Sequence, residues 1–130
     1  MAAIDELVDR FASAERPAGN LLDTEGVLAQ AVAAVSFYAG YAAIISRIPA
    51  VPETPLAPIN GATVLSESEW ALIRPLFLFY VERETALQLE ASRGLGMDVY
   101  GRASSEVASD IMQTELELPH QAFVGRIVMI

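Results

Sequence analysis

The feature that most constrains this chain is a run of 21 residues without a charged side chain, from Gly26 to Ser46. Glu25 and Arg47 bound the run. At about 1.5 Å per residue, a helix of this length spans roughly 31 Å, enough to cross the hydrocarbon core of a bilayer. The run is rich in Ala, however, which is only weakly lipophilic, and it contains Gly, Gln and Ser. It predicts a helix over 24–47, buried at the centre of a bundle or, alternatively, spanning a membrane over 26–46.

The ionisable residues exclude several classes of chemistry. The net charge is −9, all eight basic residues are Arg, and the chain has one His and no Cys. Without Lys there is no P-loop and no Schiff-base amine, and without Cys there is no disulfide or thiolate zinc site. A single imidazole cannot build a multi-histidine metal site, and an acidic chain with a pI near 4.4 is poorly suited to binding phosphate backbone. We therefore expect a protein that is not an enzyme and has no cofactor or metal.

Two segments flanking the uncharged run carry helix signals. Apolar residues at Ile4, Leu7, Val8 and Phe11 follow helical spacing and predict a short amphipathic helix over 4–15. The stretch Ser66-Glu67-Ser68-Glu69 matches a capping box, with Ser66 as the N-cap and Glu69 three residues later. It predicts a helix over 66–93, apolar in its first half, charged in its second and interrupted by Pro75.

A fourth helix is predicted over 100–118, from an apolar stripe that keeps helical spacing up to Pro119. The stripe consists of Tyr100, Ala103, Val107, Ile111, Thr114 and Leu118. The connector between the second and third helices, 49–65, contains four prolines at three-residue intervals and predicts a stiff, extended segment. We interpret it as a loop that spans the length of a helix pair. The alternative is a proline-rich ligand for an SH3-type module, but no basic residue flanks the prolines suitably for that.

The tail after Pro119 differs from the rest, because 123–130 is β-prone and apolar on both faces. One interpretation folds this segment back onto the helices. The other, which we favour, is an extended arm over 119–130 that adds a strand to another protein's sheet. The side chains expected to bind the partner are Phe123, Val124, Ile127, Val128 and Ile130.

The predicted fold is therefore all-α, with about four helices forming a domain over 1–118 and a C-terminal arm over 119–130. Aromatic side chains of the second and third helices are expected in the core or at an oligomer interface, namely Phe37, Tyr41, Trp70, Phe77 and Tyr80. No catalytic constellation is evident. Acids two residues apart on a helix, such as Glu82 and Glu84, point about 200° apart. His120 lies beside Pro119 without a nucleophile elbow.

Part of the sequence resembles the neck proteins of tailed bacteriophages, the small head-to-tail connector or head-completion subunits. The resemblance rests on 65–76 (LSESEWALIRPL), 80–84 (YVERE), 89–93 (LEASR) and 100–102 (YGR). It implies a helical structural subunit of the virion that assembles as a ring under the portal, with a C-terminal arm reaching into the neighbouring protein. No catalytic residues follow from it.

The implied partners are portal or tail-completion proteins and further copies of the chain, with genomic DNA passing through the ring without specific binding. The implied location is the virion neck, and the host cytoplasm during assembly. An acidic surface facing the channel would repel the phosphate backbone and let it slide. Two other functions stay open: a small membrane protein spanning once through 26–46, and a soluble adaptor that docks on a host protein through its tail.

Overall fold

The computed structural model describes residues 2–15, 22–48, 55–92 and 103–128, with the backbone alone at 14, 15, 92 and 121–128. Within these residues the chain is mostly helical, as predicted, with four α-helices and one two-stranded sheet. The elements are β1 (Ala2–Ala3), α1 (Ile4–Arg10), α2 (Thr24–Ala39), β2 (Val64–Leu65), α3 (Glu67–Ser92) and α4 (Ser104–Val128).

The sheet was not predicted. β1 and β2 are antiparallel, with Ala2 opposite Leu65 and Ala3 opposite Val64. Immediately after β1, the Ile4 N–H donates to the Thr63 carbonyl at 2.9 Å. The start of α1 has no side-chain cap, so this backbone contact satisfies one of its free donors. A strand of two residues is too short to show an alternating pattern, which is why the expectation of an all-α chain missed it.

The first predicted helix is confirmed over its whole length. α1 continues beyond Arg10 as a π-helical turn, Phe11–Glu15, so that 4–15 is helical throughout. The side chains whose spacing predicted this helix, Ile4, Leu7, Val8 and Phe11, are all buried. These side chains share one face of the helix, and that face packs against the core, as expected for an amphipathic helix.

The uncharged run forms a shorter helix than predicted. Asp23 caps α2 by accepting from the Gly26 N–H at 2.7 Å, but the helix ends at Ala39 and not at Arg47. At its end the Gly40 N–H donates to the carbonyl of Phe37, three residues earlier instead of four. Ile45–Arg47 then forms a separate 3₁₀ turn. Beyond this end, the Ile45 N–H donates to Glu69 Oε2 and the Ser46 hydroxyl donates to the Val64 carbonyl, so residues of other segments hold this part of the chain. A continuous helix would have used the Ile45 donor internally.

The capping box of α3 is confirmed in both directions. Ser66 Oγ accepts from the Glu69 N–H at 3.2 Å, and Glu69 Oε1 accepts from the Ser66 N–H at 2.8 Å. The helix runs through Pro75 to Ser92, the last described residue of this stretch, and its predicted last residue, Arg93, lies outside the described residues. Reciprocal capping satisfies two donors that a helix start leaves free.

The structure does not support the extended arm predicted over 119–130, because the backbone of α4 is helical as far as Val128. The helix begins at Ser104 and continues through Pro119 to Val128, whereas an end at 118 was expected. Adding residues to an existing helix costs far less than starting one, so β-branched residues and a single proline did not stop it. Ile130 and the predicted start of the fourth helix at Tyr100 lie outside the described residues.

Little of the proline-rich connector can be compared with its prediction. Residues 49–54 lie outside the described part, and 55–59 have no regular secondary structure and are mostly exposed. The segment then closes in a turn, in which the Thr63 N–H donates to the Asn60 carbonyl at 3.0 Å. Asn60 Oδ1 accepts from the Ala62 N–H at 2.9 Å, a local side-chain bond typical of turns.

One apolar core joins all four helices. Its largest fully buried side chains include Phe11 of the π-helical turn and Phe77 of α3, whose rings meet edge to face with centroids 5.2 Å apart. α2 contributes small residues such as Ala31 and Ala34, both without exposed surface, which lets the helix approach its neighbours closely. In the part of the chain that the structure describes, no helix combines the length and the hydropathy needed to cross a membrane.

Candidate functional site

The predicted core and interface aromatics lie in different environments. Phe77 is fully buried, Tyr80 is 6% exposed, and Trp70 is partly buried against Phe77 with ring centroids 5.3 Å apart. Phe37 is partly buried and its ring lies 5.3 Å from that of Tyr41, which is 57% exposed. Phe77 and Tyr80 therefore belong to the core, whereas Tyr41 is on the surface.

A buried polar contact joins α3 to α4. The Tyr80 hydroxyl donates to Glu115 Oε1 at 2.6 Å, and the Arg83 guanidinium carbon lies 5.0 Å from the centre of the Tyr80 ring. Burial raises the pKa of Tyr80 well above its ordinary value, and the hydrogen bond and negative charge of Glu115 raise it further. The phenol therefore stays protonated and acts as a structural donor.

One end of the same helix pair is also held by a carboxylate. Glu90 of α3 accepts from the Ser104 N–H at 2.9 Å and from the Ser104 hydroxyl at 2.8 Å. Ser104 is the first residue of α4, so Glu90 satisfies a donor at that helix start and places a negative charge at its positive end. Together with Tyr80 and Glu115, this contact makes α3 and α4 an antiparallel pair.

Glu69 connects the start of α3 to the segment that follows α2. Its side chain is 4% exposed, and while Oε1 serves the capping box, Oε2 accepts from the Ile45 N–H at 3.0 Å. Both carboxylate oxygens are thus used by backbone donors from two segments. The contacts of Glu69, Glu90 and Tyr80 are structural, and none of these groups presents a free reactive atom in a cleft.

A concave surface lies where β1 and α1 meet the start of α3. This recess has a volume of about 370 Å³. Apolar side chains form much of its lining, and two of the eight arginines stand at it, with Glu67 as the one acid. The lining residues are Ala2, Leu7, Arg10, Leu65, Ser66, Glu67, Trp70, Ala71 and Arg74. We call it the arginine recess.

The outer side of α4 exposes large apolar side chains that the sequence analysis did not single out. Met112 is 67% exposed and Leu116 is 76% exposed. They are four residues apart and so form one row along the helix, while Val107, Ile111 and Leu118 are buried on the opposite side. Glu106 and Glu117 are also exposed and lie about 80° to 140° around the helix from this row. The sequence signal was available, since Met112 and Leu116 are an i, i+4 apolar pair outside the buried stripe.

A second group of exposed apolar residues surrounds the chain after α2. It consists of Tyr41, Ile45, Ile48 and Leu56. The Ile48 N–H donates to the Ile45 carbonyl, and Arg47 Nε donates to the carbonyl of Ala57 at 2.8 Å, so the stretch around Leu56 lies near the 3₁₀ turn. Exposed apolar groups of this kind are typical of interaction surfaces.

The side chains expected to bind a partner through the tail, Phe123, Val124, Ile127 and Val128, lie outside the described side chains, as does Ile130. Their helical backbone continues that of Met112 and Leu116, so Phe123 follows Leu116 at i+7. Among the side chains that the structure describes, no three acidic or histidine residues are grouped so that they could hold a metal ion.

No protein-family model, no curated protein and no solved structure matches this chain at a significant level.

Proposed function

We propose that this chain is a structural subunit of a tailed-phage virion, which joins the head to the tail as part of a ring around the DNA channel. Its partners are the portal or tail-completion proteins and further copies of itself, and its location is the virion neck after assembly in the host cytoplasm. The likeness of residues 65–76, 80–84, 89–93 and 100–102 to neck proteins supports this function.

The observation that carries the proposal is the amount of exposed apolar surface on a small helical chain. Met112 and Leu116 on α4, and Tyr41, Ile45 and Ile48 after α2, are all more than half exposed. Exposed apolar groups in two separate places fit a subunit that is covered by neighbours on more than one side. The contacts that bury polar groups inside the chain, at Glu69, Glu90 and Tyr80, serve its own fold.

The net charge of −9 supports a conduit over a nucleic-acid binder. A surface with an excess of carboxylates repels the phosphate backbone, so DNA passing through a ring of such subunits would slide and not be retained. In this proposal the C-terminal segment anchors the subunit to its neighbour through Phe123, Val124, Ile127, Val128 and Ile130.

The direct test is to ask whether the protein is present in purified particles and at which axial position. Mass spectrometry of gradient-purified virions should detect it, and labelled copies should appear at the head–tail junction in electron micrographs. Particles lacking the protein should separate into filled heads and free tails. Recovery of the chain in the membrane pellet, with release by detergent alone, would contradict the neck function and favour a membrane protein.

The anchoring role has its own experiment. A chain that lacks residues 123–130 should keep its helical fold, as judged by circular dichroism, and should fail to support head–tail joining in a complementation assay. Gln121→Ala serves as a control substitution in the same helix and should join heads to tails normally. If the shortened chain supports joining as well as the intact chain does, the C-terminal segment is not the anchor.

A further inference from the structure

The arginine recess and the outer side of α4 complement each other. The recess offers an apolar surface at Trp70 and Ala71 with the cations Arg10 and Arg74 beside it. The outer side of α4 offers the opposite combination, with Leu116 exposed and the Glu117 carboxylate next to it in sequence. The arginines of the recess are opposite in sign to the carboxylates of α4.

The signs of charge on the two surfaces are distinctive for this chain. The described side chains of α4, residues 104–120, include four acids and no arginine: Glu106, Asp110, Glu115 and Glu117. The exposed ones, Glu106 and Glu117, are eleven residues apart and therefore lie in nearly the same row, with Glu117 about 100° around the helix from Leu116. Two copies of this face would repel each other, because like charges would meet. A partner for it needs cations around an apolar surface, as the arginine recess provides.

The two surfaces lie on different sides of α3. Arg74 lines the recess, while Tyr80 contacts α4 through Glu115. Arg74 and Tyr80 are six positions apart, which places them about 120° apart around the helix axis. One copy can therefore use both surfaces at the same time, each toward a different neighbour.

We infer that the arginine recess of one copy binds the outer side of α4 of a second copy, with Leu116 against Trp70 and Ala71 and with Glu117 facing Arg10 and Arg74. Such a contact is heterologous, because it joins two different patches and leaves one of each unused at the ends. Heterologous contacts propagate, and they close into a ring when the rotation between copies permits. The inference rests on the proposed function, since it names the contact by which neighbouring copies of the ring would meet.

Disulfide trapping tests the contact directly, because the natural chain has no cysteine. Two single-cysteine proteins are needed, Ala71→Cys in the recess and Leu116→Cys on α4, both at exposed positions. When they are mixed under mild oxidation, the mixed disulfide should form faster than either homodimer. Leu56→Cys, at an exposed position elsewhere, is the matched control and should cross-link to Ala71→Cys slowly.

Two results of this experiment would overturn the inference. If Leu116→Cys cross-links to itself fastest, α4 meets α4 in a symmetric dimer and not the recess. If the mixed pair cross-links no faster than the Leu56→Cys control, the two surfaces do not meet in solution. A protein that fails this test but is still found at the virion neck would keep its proposed function and lose only this contact.

Exchanging the charges of Arg10 and Glu117 distinguishes the loss of a specific contact from a loss of folding. Arg10→Glu and Glu117→Arg should each weaken self-association at least tenfold, as measured by sedimentation velocity. A chain carrying both substitutions should recover most of it, because the pair is restored with reversed signs. Glu84→Arg changes the net charge by the same amount as Glu117→Arg and should leave association as it is. Failure of the double variant to recover, with its circular dichroism spectrum intact, would rule out the pairing of these two residues.

Discussion

At the scale of single residues, buried polar side chains determine how the segments of this protein meet. Glu69 accepts two backbone hydrogen bonds from different segments, and Tyr80 donates to Glu115 across the α3–α4 interface. Each contact connects elements that apolar packing alone would hold less specifically. Removing one partner leaves a buried group without its hydrogen bond, which costs more than the bond itself contributes.

Glu69→Ala should lower the free energy of unfolding by about 2–3 kcal/mol, because the N–H groups of Ser66 and Ile45 lose their acceptors. Glu67→Ala is the matched control, since Glu67 is exposed in the same helical turn and contributes about 0.3–1 kcal/mol through the helix dipole. Urea denaturation followed at 222 nm measures both. Equal effects of the two substitutions would mean that the capping carboxylate is not a special contact.

Tyr80→Phe should cost about 1 kcal/mol at neutral pH, through loss of the bond to Glu115. The variant should also change the response to alkaline pH. Because the pKa of Tyr80 is raised in the folded state, its contribution is complete below the ordinary tyrosine pKa near 10. Above that pH the unfolded chain releases the proton first, so the contribution is lost as pH rises.

The measurement is the free energy of unfolding between pH 8 and pH 11.5 for the natural chain, Tyr80→Phe and Tyr41→Phe. No Lys or Cys side chain titrates in this pH window, because the chain has neither. Above about pH 10 the natural chain should lose stability faster than Tyr80→Phe, by up to about 1.4 kcal/mol per pH unit. Tyr41→Phe, at an exposed ring, should follow the natural chain. Parallel curves for the natural chain and Tyr80→Phe would contradict this account.

At the scale of elements, the helices continue through residues that usually interrupt them. α3 contains Pro75 and α4 contains Pro119. A proline removes one helical donor and crowds the preceding turn, and both helices tolerate this because packing along α3 and α4 holds them. Tyr80 with Glu115 holds that pair near the middle, and Glu90 with Ser104 holds it at the end next to the α3–α4 connection.

Pro75→Ala should stabilise the chain by about 1–2 kcal/mol. The alanine restores a donor inside α3 at an exposed position, and this gain exceeds the 0.4–1 kcal/mol that proline contributes by restricting the unfolded chain. Thermal unfolding measures the change, and hydrogen exchange should slow around the new amide. Pro58→Ala, in the exposed irregular segment 55–59, is the control and should lower stability slightly. A destabilising Pro75→Ala would contradict this account.

At the scale of the whole molecule, the net charge opposes the association between copies that exposed apolar surface favours. The chain has a net charge of −9 and yet exposes Met112, Leu116 and Tyr41. Mutual repulsion between copies keeps such surfaces apart unless opposite charges are brought together. Association should therefore depend on salt as well as on apolar contact.

Raising NaCl from low to physiological concentration should increase the melting temperature by a few degrees, because salt screens the repulsion among carboxylates that outnumber arginines by about two to one. Differential scanning calorimetry at a dilution where the chain is monomeric measures it. Sucrose at equal osmolarity controls for general exclusion effects and should act more weakly over the same range. A melting temperature that falls with salt would mean that attractive ion pairs outweigh the repulsion.

Several local features were predictable from sequence because their physics is local. The capping box at Ser66 and Glu69, the Asp23 cap and the buried stripe of α1 all depend on residues within one or two helical turns. The apolar residues Val107, Ile111 and Leu118 were placed on the buried side of α4 by the same periodicity. Such contacts involve neighbours in the chain, so their spacing is visible without the fold.

What the sequence determined by itself was therefore the helical class, the approximate helix starts and the exclusion of chemistry that needs Lys or Cys. Only the tertiary structure decided the path of the chain after α2, the β1–β2 pair and the recess that Arg10 and Arg74 line together. Each of these depends on residues far apart in the chain, such as Ile45 and Glu69, whose contact holds the segment that follows α2. Backbone donors bond wherever the folded chain offers the best acceptor, and periodicity along the sequence carries no record of that choice.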